Sequence, residues 1–347
     1  MENKNIRVLI SGGGTGGHIF PAVSIANAIK QQYPTSEILF VGANGRMEMD
    51  KVPAAGYKIV GLPIQGLYRS LTPKNFTVLK NLFKSLSMAK KIIEDFKPDI
   101  AIGVGGYASA PVLYQAAKMK IPTLIQEQNS YAGITNKILG KKVGKICVAY
   151  DHMEKFFPAS KIIMTGNPVR QNLINIPNHS AEAYEYFGLS PKKKTLLIIG
   201  GSLGARTINQ SILHNLEILY RTHKNDLQVI WQTGKFYIED IKKETASLPI
   251  ENIVISDFIG RMDYAYSIAD LVISRAGASS ISELSLLGKP CILVPSPNVS
   301  EDHQTKNALA LVEREAAVMV PDKEADGRLM IETIGLLQNE NSLKALS

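Results

Sequence analysis

Three segments of the chain gather glycines, hydroxyls and charge where an anion could be held. SGGGTGGH at 11–18 and GGSLGA at 200–205 each follow a short apolar run and precede a helical pattern. Glycines there let backbone N–H groups approach an anion at the positive end of a helix, so each turn could cradle a phosphate. A plain tight turn needs the same residues, and both readings stand. In the third segment, SRAGASSISELSLLGKP at 274–290, an apolar run ends in Arg275, followed by a glycine, Ser279, Ser280 and a helix. N–H groups, hydroxyls and a cation thus converge at one strand end. Ser280-Ile-Ser-Glu283 also fits a capping box, in which Glu283 satisfies only the helix's own first N–H groups. Neither glycine turn continues into the Gly-Lys-Ser/Thr of a P-loop. No acidic residue ends the run EILFVG at 37–42 to hold a nicotinamide ribose.

Such turns need strand ends to sit on, and the chain supplies them in two series. IRVLI (6–10), EILFVG (37–42), DIAIGV (99–104), PTLIQ (122–126) and KICVAY (145–150) alternate with helical stretches. The pattern restarts with TLLIIGG (195–201), QVIWQT (228–233), NIVIS (252–256), DLVIS (270–274), PCILVP (290–295) and AAVMV (316–320). Near-continuous apolar strands separated by helices predict parallel sheets covered on both faces, an α/β chain of two doubly wound, Rossmann-like domains. GNPVRQNLINIPNHS (166–180) breaks both patterns and marks the hinge, giving domains 1–167 and 168–347 that face one another across a cleft. Each glycine turn then lies outside the carboxyl end of a strand, where open α/β sheets bind ligands.

Composition narrows the partners. With 39 Lys and Arg against 31 Asp and Glu, the net charge of +8 suits nucleic acid, phospholipid or a phosphorylated substrate. The lysines do not interleave with aromatics in a nucleic-acid-binding pattern, so nucleic acid is not expected. No signal peptide and no run of about 18 uncharged apolar residues occurs, which predicts a chain that stays in the cytoplasm. Cys147 and Cys291 sit inside apolar strand runs and read as small buried hydrophobes. No His or Cys cluster has metal-ligand spacing and no Asp-x-Asp occurs, so no metal or other cofactor is expected.

GGGTGGHIFPA (12–22), GGYASAP (105–111), QEQNSYAGITNK (126–137), GNPVR (166–170), GGSLGA (200–205), RAGASSISE (275–283) and HQTKNA (303–308), in this order, carry a resemblance over nearly the whole chain. The sequence resembles the peptidoglycan N-acetylglucosaminyltransferases of the GT-B glycosyltransferase class, which convert lipid I to lipid II in cell-wall biogenesis. The resemblance implies UDP-N-acetylglucosamine as donor, held mainly by the second domain. There the Ile259 backbone would read uracil, Ser202 and the stretch Ala278, Ser279, Ser280, Ile281, Ser282 would lie near the diphosphate, and Glu283 would take the ribose hydroxyls. Arg170 and Arg275 would add positive charge, and Gln304 would meet sugar hydroxyls, a solvated loop residue being its alternative. In the first domain Thr15, Gly16, Gly17, His18 and Asn129 would surround the reacting sugar. Gly13, Gly14, Tyr107 and Asn136 would hold the lipid I acceptor.

The same resemblance implies inversion in one in-line attack, with no covalent intermediate. Charge growing on the leaving diphosphate would fall to N–H groups and helix dipoles. A base must take the acceptor proton, and imidazole suits neutral pH, so His18 is the first candidate and Glu127 the second. A histidine after a turn is otherwise a structural residue.

LKNLFKSLSMAKKII (79–93) puts Leu79, Leu82, Phe83, Leu86 and Ile93 on one helical stripe beside Lys80, Lys84 and Lys91. It reads either as an interfacial helix on an anionic membrane surface or as an ordinary helix packing on its sheet. A lipid-linked acceptor favours the first, at the cytoplasmic face of a bacterial plasma membrane, with cell-wall synthesis and division proteins as further partners. Two departures from the family pattern stand out: His303 and Lys306 replace glutamine and an aromatic, and the chain ends at NENSLKALS without the family's long final helix. Two other functions fit the fold, a UDP-N-acetylglucosamine 2-epimerase that needs no acceptor and a non-catalytic sugar-nucleotide-binding membrane recruiter.

Overall fold

The computed structural model describes residues 5–66, 74–201, 203–223, 225–248, 251–299 and 302–347, which form two compact units, Met1–Gln171 and Asn172–Ser347. The first is built on strands β1 (Arg7–Ser11), β2 (Glu37–Ala43), β3 (Lys58–Leu62), β4 (Ile100–Gly103), β5 (Thr123–Glu127), β6 (Lys145–Val148) and β7 (Ile162–Met164). They hydrogen-bond in the order β3-β2-β1-β4-β5-β6-β7, all parallel. Strand order therefore reverses between β1 and β4, the switch point at which such sheets bind ligands. Both faces are buried. Val8 and Ile10 pack under Ile19, Ala22 and Ala26 of the helix Gly16–Gln32, while Leu9 between them points into the core of the opposite face.

The second unit repeats the plan with β8 (Lys194–Ile199), β9 (Leu227–Gln232), β10 (Ile253–Ser256), β11 (Leu271–Ser274), β12 (Cys291–Leu293) and β13 (Val318–Met319). Their order is β10-β9-β8-β11-β12-β13, again parallel, with the switch point between β8 and β11. Along β8, Leu196 and Ile198 enter one core with Ile208, Ile212 and Leu216 of the helix Arg206–His223; Leu197 and Ile199 enter the other. The segment expected as a hinge docks here: Leu173 is fully buried in the second core and the Ser267 hydroxyl donates to Pro177 O at 2.6 Å.

Every strand expected from the sequence forms, and two more appear, β3 and β7, at the outer edges of the first sheet. Each has a single strand neighbour and only a short apolar run, IVGL broken by Gly61 in β3 and the three residues IIM in β7.

The stripe read on 79–93 is corrected. On the helix Lys74–Phe96, Val78, Ala89 and Ile93 are core and Leu82 packs against them, so Leu82 and Ile93 do not face solvent. The exposed apolar line is Phe76, Leu79 and Phe83, with Lys80, Lys84 and Lys91 also exposed. Among the described residues, no helix is long and apolar enough to cross a membrane.

Candidate functional site

At the first unit's switch point, the turn after β1 and the loop after β4 touch backbone to backbone. A Cβ on Gly106, whose φ is +82°, would stand 2.3 Å from Gly13 O, and one on Gly12 would stand 2.1 Å from a Val104 methyl. The Ser109 hydroxyl lies 2.8 Å from both Ser11 O and Gly105 O, tying the two strand ends together. Thr15 is the exposed N-cap of the helix Gly16–Gln32, and Gly16, Gly17 and His18 are its first residues. His18 Nδ1 lies 3.2 Å from Gly13 O and 3.3 Å from the Thr15 hydroxyl. A carbonyl oxygen can only accept, so Nδ1 carries the proton of the neutral ring and Nε2 carries the lone pair. The other edge of the ring lies on Gly105, where a Cβ would come within 2.8 Å of Nε2.

The anion-cradle reading of this turn is corrected at Gly14. Its N–H donates at 2.8 Å to the carboxylate of Glu48, which is buried and also accepts from Ala43 N at 3.0 Å. The donor expected for a phosphate is thus occupied by the protein's own acid. Tyr107 is half exposed with its ring against Gly66.

Beyond β5, the Glu127 carboxylate is buried under four donors. Oε1 accepts from Asn129 N (3.1 Å) and Asn129 Nδ2 (3.2 Å), and Oε2 from Gly133 N (3.0 Å) and Asn136 Nδ2 (2.9 Å). With both oxygens so engaged, Glu127 organises the loop 128–136 rather than offering a lone pair to an acceptor proton. Gln128 ties that loop to the one after β4 through Val104 O at 2.9 Å, and Gln126 donates to Asn167 of GNPVR at 2.8 Å. Arg170 follows in the same stretch, at the end of the first unit.

In the second unit the glycine turn locks onto a different neighbour. A Cβ on Gly204 would stand 2.0 Å from Thr233 O, and one on Gly234 2.3 Å from Leu203 O, so the turn after β8 interlocks with the turn after β9. The switch-point side stays open as a pocket of about 440 Å³. Gly200, Gly201 and Arg206 line one wall, Arg275, Gly277 and Ser280 another, and Ser296 and Gln304 a third. The helix Ala278–Leu286 aims its N-terminus here from the N-cap Gly277. Ser280 lines the pocket, while the neighbouring Ser279 hydroxyl is buried with no hydrogen-bond partner among the described residues. Ser282 bonds back to Ala278 O at 2.8 Å, and Ile281 is core.

Three expectations change in this unit. The helix starts at Ala278, so Ser280 is not an N-cap and the capping box does not form; Glu283 lies a turn further on, buried, accepting from the Tyr266 hydroxyl at 3.2 Å. Arg275 is not an uncommitted cation: it pairs with Asp322 and donates to Val294 O and Pro295 O at 3.1 and 3.2 Å. The Ile259 N–H is taken by Gln232 Oε1 at 2.9 Å, which leaves the carbonyl as that residue's backbone group for a base. Just beyond, hydrogen bonds from Arg261 hold the Asp263 carboxyl below the usual carboxylate range. Gln304 accepts from Ser296 N at 2.8 Å, which sets its NH₂ as the donor end. Ser202 lies outside the described residues.

Sequence reasoning missed Glu48, Gln232, Tyr266, Asp322 and Arg206. Gln232 had a signal, a polar residue closing the buried strand QVIWQ, and it bridges Gly201 O (3.0 Å) to Ile259 N. Arg206 had one as well, the first, exposed residue of the helix leaving a glycine turn. Asp322 and Tyr266 gave none, because their partners are distant in sequence.

Residues 8–148 match the glycosyltransferase family 28 N-terminal domain, and residues 195–346 match the family 28 C-terminal domain. A UDP-N-acetylglucosamine–N-acetylmuramyl-(pentapeptide) pyrophosphoryl-undecaprenol N-acetylglucosamine transferase from Parabacteroides distasonis is 61% identical over 344 residues, 99% of this chain and 93% of that one. The crystal structure of Acinetobacter baumannii MurG superimposes with a TM-score of 0.75 at 29% identity, covering 98% of this chain and 94% of the other. A UDP-GlcNAc 2-epimerase from Neisseria meningitidis, bound to UDP-GlcNAc, has a TM-score of 0.65 at 16% identity over 99% and 94% of the two chains, a likeness of fold alone.

Proposed function

Since this chain belongs to glycosyltransferase family 28, we propose that it transfers N-acetylglucosamine from UDP-N-acetylglucosamine to lipid I, undecaprenyl-diphospho-N-acetylmuramoyl-pentapeptide, giving lipid II for peptidoglycan. The observation that carries this reading is the crevice beside β8 and β11, with its glycine turn, helix N-terminus and Ser280, in a chain so similar to a transferase of that name.

The donor lies in the second unit. The N–H groups at Gly201 and at Ala278–Ser280 receive the diphosphate, with Arg206 as the cation that Asp322 leaves for the role by pairing with Arg275. The Ile259 carbonyl accepts from the uracil N–H, Glu283 accepts from ribose hydroxyls, and the Gln304 NH₂ donates to the sugar. In the first unit, a hydroxyl of the muramyl sugar attacks the anomeric carbon in line. A C–O bond forms, the bond to the diphosphate breaks, UDP leaves with the electron pair, and the hydroxyl proton passes to His18 Nε2. Developing charge on UDP meets prearranged dipoles, each worth roughly 10²–10³ in rate in comparable sites. Thr15, Gly16 and Gly17 lie beside this base, and Asn129, Tyr107 and Asn136 border the acceptor's place.

The enzyme works at the cytoplasmic face of the plasma membrane as a peripheral protein. Phe76, Leu79 and Phe83 form an exposed apolar line beside lysines, which supports docking on anionic lipid near a lipid-linked substrate.

The test is UDP release from UDP-N-acetylglucosamine with and without a short-chain lipid I analogue, with mass analysis of the acceptor. Acceptor-dependent release and one added N-acetylhexosamine are expected. Conversion of the nucleotide sugar without acceptor would make the protein an epimerase, and binding without turnover would make it a recruiter; either overturns the proposal.

A further inference from the structure

The Gly13–Gly14 peptide is hydrogen-bonded at both ends to ionisable side chains. Its N–H, on Gly14, donates to Glu48 Oε2 at 2.8 Å; its C=O, on Gly13, accepts from His18 Nδ1 at 3.2 Å. One planar, polarisable amide therefore joins a buried carboxylate to an imidazole in an unbroken line. The arrangement is closely built. Glu48 is 1% exposed, and a Cβ on Gly13 would stand 2.2 Å from Glu48 Oε1, so the carboxylate fits only against glycine. Its other oxygen is fixed by Ala43 N at 3.0 Å, at the end of the neighbouring strand β2. A simple cap on the short helix Glu48–Ala54 would not need to reach across to the β1 turn.

We infer that Glu48 is a positioning residue for the transfer: through the Gly13–Gly14 peptide it fixes His18 with the proton on Nδ1 and makes Nε2 a stronger base. This deepens the assignment of His18 as general base and rests on it. A carboxylate accepting the peptide N–H pushes electron density toward the carbonyl, which then holds the Nδ1 proton more firmly. Carboxylates that hydrogen-bond a histidine directly set its tautomer and raise its basicity in the same way. Here a backbone amide stands between the two groups, so the acid acts on the base without occupying space beside it. The Thr15 hydroxyl and the Gly105 backbone also lie against the ring.

The experiment is a double-mutant cycle of Glu48→Gln and His18→Ala, followed as kcat and KM across pH in acceptor-dependent UDP release. Glu48→Gln keeps the shape and removes the charge. Its kcat should fall about tenfold with both KM values within about twofold, and the acid limb of the kcat profile should move down by roughly half a pH unit, because loss of a nearby negative charge makes an imidazolium more acidic. In the His18→Ala background the same change should have no further effect on kcat. Additive losses, or a lower kcat with an unmoved limb, would reduce Glu48 to a structural support and overturn the inference. A near-parental His18→Ala would instead remove the base assignment itself, a result distinct from either. Should Glu48→Gln fail to fold, ¹⁵N imidazole spectra of the parent protein decide: an Nδ1–H tautomer at His18 is expected, and an Nε2–H tautomer overturns the inference.

Discussion

Substituting Gly106 by alanine tests whether the contact between the two turns of the first unit positions the chemistry. The new Cβ would begin 2.3 Å from Gly13 O, whereas real Cβ contacts under 3.0 Å essentially do not occur, so one backbone must retreat by about 0.7 Å. The retreat moves the carbonyl that holds His18 Nδ1. Displacements near 1 Å in a reacting array cost about 10²-fold in rate, so kcat should fall by roughly that factor. Alanine at a φ of +82° adds about 1–2 kcal/mol of backbone strain. The overlap adds about 1–3 kcal/mol, and together they lower Tm by roughly 5–15 °C for a unit of this size. UDP affinity should stay within about twofold, because the groups assigned to UDP belong to the other unit. Gly56→Ala is the control: φ is +86° but nothing lies within 4 Å of a Cβ, so strain acts alone and kcat should hold. The assay is acceptor-dependent UDP release, with UDP titration by calorimetry. A folded Gly106→Ala enzyme with kcat within threefold of the parent, or one whose UDP affinity falls in step with kcat, refutes the reasoning.

His18→Ala should lower kcat by about 10²-fold or more, the scale of a lost general base, while calorimetry finds UDP binding unchanged. Tyr266→Phe removes a donor to the Glu283 carboxylate; since hydrogen bonds to charged groups are worth about 1.5–3 kcal/mol, KM for UDP-N-acetylglucosamine should rise roughly tenfold or more, and an unchanged KM would release Glu283 from ribose binding. Leu79→Glu with Phe83→Glu should abolish flotation with anionic liposomes and leave turnover of a water-soluble acceptor intact, since both side chains are exposed; loss of folding would show the line to be core. EDTA should leave activity largely intact, because the charge of the leaving UDP is assigned to backbone dipoles, whereas a metal-rescuable loss would require a cation in that crevice.

Those predictions draw unequally on sequence and on structure. The buried strands were legible because parallel strands covered on both faces must be apolar throughout, as TLLII in β8 is. The edge strands β3 and β7 escaped because their apolar runs are short, one broken by Gly61 and the other three residues long. On the helix Lys74–Phe96 the period was read correctly and the facing was not: two apolar lines run along it, and only the sheet beneath decides that Leu82 belongs to the core and Phe83 to solvent. Glycine motifs located the turns, yet their occupants were hidden. A search for an acid at the end of EILFVG finds none, although Glu48 reaches the β1 turn from the start of the short helix that follows. Arg275 reads as a free cation until Asp322, 47 positions away, folds against it.

The interlocking glycine turns bear on how one architecture can serve two roles within a single chain. In the first unit the β1 turn is bolted to its neighbour across the strand-order reversal, and backbone fills the niche. In the second, the equivalent turn is bolted to the opposite neighbour, and a pocket is left on the other side. Choosing which adjacent loop a turn leans on thus converts a receptor into a rigid mount without altering the sheet, the helices or the motif's own glycines. A redesign that moved the first unit's bolt to the β2 side would be expected to open a second nucleotide-sized niche and to release the imidazole from its mount.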